Sequence, residues 1–202
     1  MQRFSLCICL AFSMLLVGCG GVASSVESRN IEQESETRVT IPMQRKTIVV
    51  YFSHTKHTET VAKRIRQETN ADIYEIVPEK PYPQDYHPAT EVAKREQQEN
   101  ARPDIRGKLP DLSEYDTIIL GFPIWWYNTP MIVNTFLESY DFSDKTIAPF
   151  CTSGGASIES SVETIRELAK GAKVTEGLTA NDPDDITPWL QRQQLLPTDK
   201  GN

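Results

Sequence analysis

The chain has 202 residues with a formal net charge of −7, 24% charged and 39% hydrophobic residues. That acidic balance carries no basic patch, which makes nucleic acid and anionic lipid head groups poor partners. Its four cysteines, Cys7, Cys9, Cys19 and Cys151, do not read as a disulfide scaffold, so stability has to come from a hydrophobic core.

Arg3 is the only positive charge ahead of an apolar run from Leu6 to Val17. The run is well short of the roughly 20 residues that span a bilayer as a helix. It ends in Leu16-Val17-Gly18-Cys19, which resembles the lipobox of bacterial lipoproteins. The expectation is a signal peptide over residues 1–18, removed so that lipidated Cys19 becomes the mature N-terminus and anchors the protein extracytoplasmically to the cell envelope. Removing the leader takes only Arg3's charge with it and leaves about −8. Residues 20–45 are Ser/Glu-rich and almost without aromatic or periodic apolar positions. They read as a tether, because they cannot bury enough surface to offset their conformational entropy. Residues 46–202 have the length of one α/β domain.

From Lys46 onward, short β-branched or aromatic runs alternate with helical periods, which predicts a parallel sheet wrapped by helices. Thr47 to Phe52 is a continuous apolar strand. Val61, Ala62 and Ile65 then recur at helical spacing, and Ala71 to Val77 is a second strand closed by Pro78. Pro81, Pro83 and Pro88 cut up the next stretch before a charged helix around Thr90 to Asn100, against which Tyr82 and Tyr86 can pack. Strands follow at Asp116 to Gly121, Lys145 to Cys151 and Ala172 to Leu178, with helices at Pro130 to Tyr140, Ser157 to Lys170 and Asp184 to Gln194. Five strands with alternating helices admit two common doubly wound orders. In either order, ligands bind past the carboxyl ends of the strands at the switch point, in the loops after the first, third and fourth strands.

The first of these loops is Ser53-His54-Thr55-Lys56-His57-Thr58, with three hydroxyls at the mouth of a helix. A helix N-terminus offers unpaired N–H groups and a partial positive charge, so this loop suits a phosphate without a metal or an arginine clamp. Helix capping alone accounts for one or two of the hydroxyls. The spaced-glycine dinucleotide fingerprint and the lysine-ended triphosphate loop are both absent, which points to a mononucleotide. The second loop is Pro123-Ile124-Trp125-Trp126-Tyr127-Asn128. Its adjacent tryptophans cannot both face a core, so at least one is expected to be available to a planar ligand. The third, Thr152-Ser153-Gly154-Gly155, has paired glycines that let backbone N–H groups approach a ligand.

Taken together, Val49-Val50-Tyr51-Phe52-Ser53, Asp85-Tyr86, Gly121-Phe122-Pro123-Ile124-Trp125-Trp126, Phe136-Leu137-Glu138 and Pro149-Phe150-Cys151-Thr152-Ser153-Gly154-Gly155 make the chain resemble the flavodoxin family, in particular its short-chain bacterial branch. The resemblance runs from Lys46 to about Leu195. It implies a flavodoxin-like, doubly wound five-stranded parallel sheet in the order 2-1-3-4-5, with helices on both faces, and FMN as cofactor. It further implies that Ser53, Thr55 and Thr58 bind the FMN phosphate on the loop that also holds His54, Lys56 and His57. Trp125 or Trp126 would cover the isoalloxazine, within the loop Pro123, Ile124, Tyr127 and Asn128 complete, and Thr152, Ser153, Gly154 and Gly155 would line its pyrimidine edge. The chain departs from the family with Lys56-His57 where Gly-Asn is usual, and with Tyr127 where a glycine is usual. Flavodoxins resemble one another in flipping a peptide near that point, and a tyrosine with φ > 0 would be strained by roughly 1–3 kcal/mol.

His57 reads as a solvated loop residue and Cys151 as a small buried hydrophobe, so no catalytic residue is assigned. The expected function is FMN-dependent electron transfer at a membrane surface, with a partner protein or a small-molecule electron acceptor as redox partner. The same fold also supports an FMN-dependent NAD(P)H:quinone-type reductase, or a flavin-free binding lipoprotein.

Overall fold

The computed structural model describes residues 46–197. The expected signal peptide, Cys19 and the expected tether lie outside the described residues. Among those described, no helix is long and apolar enough to cross a membrane.

The sheet is parallel throughout, and its centre is built from the three runs richest in β-branched and aromatic residues. These are β1 (Thr47–Tyr51), β3 (Thr117–Pro123) and β4 (Thr146–Thr152), whose interiors are buried on both faces. β2 (Asp72–Glu75) pairs with the outer side of β1, and β5 (Lys173–Val174) and β6 (Leu178–Thr179) both pair with β4, so the order runs β2-β1-β3-β4-β5 with β6 also on β4. This is the 2-1-3-4-5 order that the family resemblance implies.

Alternation along the strands divides the core into two layers. Ile48, Val50, Ile118, Leu120 and Phe122 face α2 (Tyr86–Gln98), α3 (Met131–Glu138) and α4 (Glu159–Leu168). Val49, Tyr51, Ile119, Ala148 and Phe150 face α1 (His57–Thr69) and α5 (Ile186–Arg192). In the second layer the Phe150 ring lies over Gly121, its register partner on β3. A Cβ on Gly121 would sit 2.1 Å from the Phe150 ring, so no larger residue fits there.

Two elements differ from the sequence expectation. The fifth strand is split into β5 (Lys173–Val174) and β6 (Leu178–Thr179). Ile147 and Cys151 turn their carbonyls to this edge, accepting from Thr175 and Ala180. Pro149 lies between them at the same alternation and has no N–H to donate, so that rung is missing. Three residues, Thr175 to Gly177, therefore stand against two, Ala148 and Pro149, as in a bulge.

The second difference is the start of α2, at Tyr86 rather than Thr90. Pro88 falls in the first helical turn, where an N–H would have no intrahelical acceptor, so it does not delay the helix. Tyr82 packs this region down as expected: it is buried and donates to Glu96 Oε2 at 2.8 Å. Tyr86 instead stands 76% exposed.

Candidate functional site

β1, β3 and β4 end at one edge of the sheet, and the loops leaving them converge on an open cleft of about 1440 Å³. Of the expected site residues, His54, Thr55, His57, Pro123, Ile124, Trp125, Trp126, Tyr127, Thr152, Ser153, Gly154 and Gly155 line it. Ser53, Lys56, Thr58 and Asn128 do not, and the structure gives each of them another task.

In the first loop, Ser53 Oγ accepts from the N–H of Glu59 at 3.2 Å and so caps α1. Thr58 is 1% exposed, and its hydroxyl pairs with that of Thr152 at 2.8 Å, tying the first loop to the third. Lys56 takes up the left-handed turn into the helix, with φ 66°, and its carbonyl accepts from both the N–H and the hydroxyl of Thr60. Of the three hydroxyls, Thr55 alone lines the cleft, where it meets His57 Nδ1 at 3.0 Å. The N–H groups of residues 54–58 carry no hydrogen bond to a described residue, which leaves the donors of the α1 N-terminus available to an anion.

The aromatic loop is a tight hairpin. Trp125 and Asn128 exchange backbone hydrogen bonds at 3.0 and 3.1 Å, with Trp126 and Tyr127 as the two central residues. Both are left-handed, with φ 47° and 63°, a geometry usually filled by Asn and Gly. Trp125 stands edge-on to Phe52 and Tyr82, at centroid distances of 5.3 and 4.9 Å, and forms a fixed wall. Trp126 is held from α2: its Nε1 donates to the Thr90 carbonyl at 2.9 Å, its carbonyl accepts from Gln97 Nε2, and the Lys94 ammonium lies 4.9 Å from its ring centroid. Tyr127 is 75% exposed. Asn128 braces the hairpin by donating to Thr164 Oγ1 on α4.

The third loop is organised by a residue the sequence did not single out. Asn181 accepts from the Ser153 N–H at 2.9 Å and donates to the Ser153 carbonyl at 2.8 Å. Ser153 Oγ in turn accepts from Gly155 and Ala156. A Cβ on Gly154 or Gly155 would meet nothing within 4 Å, so space beside this backbone is open. Sequence reasoning also missed the contribution of Gln84, Tyr86, Ala89, Thr90 and Ala93 to the cleft. The alanines are buried and the rest polar or aromatic, and of the five only Tyr86 belongs to a motif that carries the family resemblance. Cys151 is fully buried beneath the third loop, and burial pushes its thiol up to about 11. Glu96, behind Tyr82, has its carboxyl raised, chiefly by burial.

No curated protein matches the chain. Among solved structures, a flavoprotein from Bacteroides uniformis shares 37% identity at a TM-score of 0.67, covering 73% of this chain and 98% of that one. A flavoprotein from Bacteroides eggerthii shares 33% at 0.66, covering 73% and 96%. A flavoprotein from Lactobacillus acidophilus, solved in complex with FMN, shares 26% at 0.61, covering 72% and 98%. The family described as Flavodoxin matches residues 46–193. With the 2-1-3-4-5 sheet and three loops meeting at its carboxyl edge, this match establishes that the chain belongs to the flavodoxin family.

Proposed function

We propose that the protein holds FMN in this cleft and works as an electron carrier anchored at a membrane surface. The observation that carries the reading is the division of the cleft's donors. Unpaired N–H groups and the Thr55 hydroxyl stand at the α1 N-terminus, and an open glycine backbone stands at the third loop, with the Trp125 wall among its lining. That set suits a phosphate at one end and a planar ring with polar edge atoms at the other. FMN supplies one- and two-electron redox chemistry when bound.

The chain's own residues would then have distinct tasks. Thr55 and the N–H groups of residues 54–58 bind the phosphate. The side chains of Ser53 and Thr58 hold that loop in shape through Glu59 and Thr152. Trp125, braced by Phe52 and Tyr82, limits where the ring can lie, and Thr152 to Gly155 offer backbone donors to its edge, kept in place by Asn181. The Lactobacillus acidophilus relative solved with FMN supports this choice of nucleotide. The absorption spectrum of the purified protein is the direct test: bands of bound flavin are expected, and a protein that takes up no added FMN would overturn the reading.

Membrane attachment rests on the lipobox-like sequence ending at Cys19. Cys19→Ser should release the domain from membranes without unfolding it. A Ser variant that fractionates with membranes as wild type does would remove the anchor.

A further inference from the structure

The two edges of the sheet are finished differently. On one side, the bulge that divides β5 from β6 blunts the edge. On the other, β2 has neither a bulge nor a proline. Ile76 donates inward to the Tyr51 carbonyl at 2.7 Å, so by alternation Ile73, Glu75 and Val77 turn their N–H and C=O groups outward. Beyond the strand this row is covered, since the Val77 carbonyl accepts from the Arg106 N–H and the Glu79 N–H donates to the Asp104 carbonyl. Ile73 and Glu75 meet no outer strand among the described residues. Such a row is a template for a further strand.

Charge narrows the occupant. Ile73 and Glu75 point to the α1 side, where they share a groove of about 330 Å³ with Lys63, Arg66 and Gln67. Lys63 pairs with Glu59 and Arg64 with Glu68, which leaves Arg66 without an ion pair to a described residue. Glu75 has none either, and burial, with Glu59 nearby, raises its carboxyl. A second copy of the chain supplies both missing partners at once. Two such edges related by a two-fold axis run antiparallel and present the same patch to each other. The strap from Asp104 to Arg106 already fills the place beside Val77 and Glu79, which moves the axis towards the amino end of β2, to Ile73. There Ile73 can exchange both backbone hydrogen bonds with the partner's Ile73. Because α1 returns the chain to the amino end of β2, its last turn, with Arg66, stands over that end. Glu75, at the carboxyl end of one β2, is thereby carried to Arg66 of the partner subunit, and the symmetry makes the exchange twice.

We infer that the β2 edge is a homodimer interface, joining two sheets antiparallel about Ile73 with Arg66 of each copy answering Glu75 of the other. The dimer does not rest on flavin binding, and it leaves both clefts open at opposite ends of the joined sheet. With four residues on each edge the interface is small, so it should dissociate on dilution. Sedimentation velocity of the purified full chain, from micromolar to millimolar concentration, should show a reversible shift from monomer to dimer. Arg66→Glu and Glu75→Arg, both on exposed side chains, should each weaken the dimer roughly tenfold or more. Mixing the two variants in equal amounts should restore it, because each then meets the opposite charge. Ile73→Cys should form an intersubunit disulfide above the wild-type level on oxidation, since a hydrogen-bonded antiparallel pair has its Cα atoms about 5.5 Å apart. A chain that stays monomeric throughout, a dimer equally tight in both charge variants, a mixture no tighter than its components, or no cross-link through Ile73→Cys would each overturn the interface.

Discussion

The hairpin tip at Trp126-Tyr127 makes an opposed pair of stability predictions. Each aromatic residue in the left-handed region costs about 1–2 kcal/mol relative to ordinary backbone. Tyr127 is 75% exposed, so Tyr127→Gly removes that cost and loses little packing. Against it stands the extra freedom of glycine in the unfolded chain, about 0.5–1 kcal/mol. The net expectation is a gain of about 0.5–1 kcal/mol, or roughly 1–4 °C in Tm for a domain of this size. Trp126→Gly relieves the same kind of backbone but gives up the hydrogen bond to Thr90 and the Lys94 contact. Those losses are worth about 1 and 0.5–1 kcal/mol. With the packing of a ring only 39% exposed also gone, the variant should lose about 1–2 kcal/mol. Guanidinium unfolding with an unchanged m-value reads both effects. A destabilised Tyr127→Gly, or two variants that move together, would refute the idea that α2 holds Trp126 while Tyr127 stands free.

Thr55→Ala should weaken FMN by roughly tenfold or more while leaving riboflavin, which lacks the phosphate, near its wild-type affinity; equal losses in parallel titrations would take the Thr55 hydroxyl out of the phosphate site. Gly121→Ala forces a Cβ into the Phe150 ring, and denaturant unfolding should show a loss of about 1–3 kcal/mol from overpacking. Glu96 has a folded pKa raised above its ordinary value of 4.5, chiefly by burial. The stability it contributes is therefore fully present below the unfolded pKa and is lost as pH rises through the folded one. Glu96→Gln, which can still accept from Tyr82, should gain on wild type as pH rises above 4.5 in unfolding experiments, and a difference that stays constant with pH would refute the raised carboxyl.

The central fold was legible because β1, β3 and β4 are buried on both faces and therefore read as unbroken apolar runs, which few other contexts tolerate. What escaped the sequence sits where one backbone group decides the outcome. Pro88 looked like a breaker because prolines are read without knowing which helical turn they occupy. Pro149 lies within a clear strand, yet its missing donor faces the next strand and splits it. Both effects depend on which way an N–H points, and residue type alone does not carry that.

The same distinction runs through the site. The three loops were legible from topology, since a doubly wound sheet must bring the segments after β1, β3 and β4 to one edge. Within them, hydroxyls that look alike in sequence divide by partner: Thr55 lines the cleft, whereas Thr58 turns inward to Thr152, 94 residues away. Thr152 is where the loops join, since its carbonyl also accepts from the Ile124 N–H of the aromatic loop at 2.9 Å. The next residue, Ser153, is held through both of its backbone groups by Asn181. Phosphate loop, aromatic hairpin and glycine loop are thus fastened to one another by hydrogen bonds over long sequence separations, so their relative positions do not depend on a ligand to draw them together. Such pre-organisation lowers the ordering cost of binding, and it resides in pairings that no local pattern of residues announces.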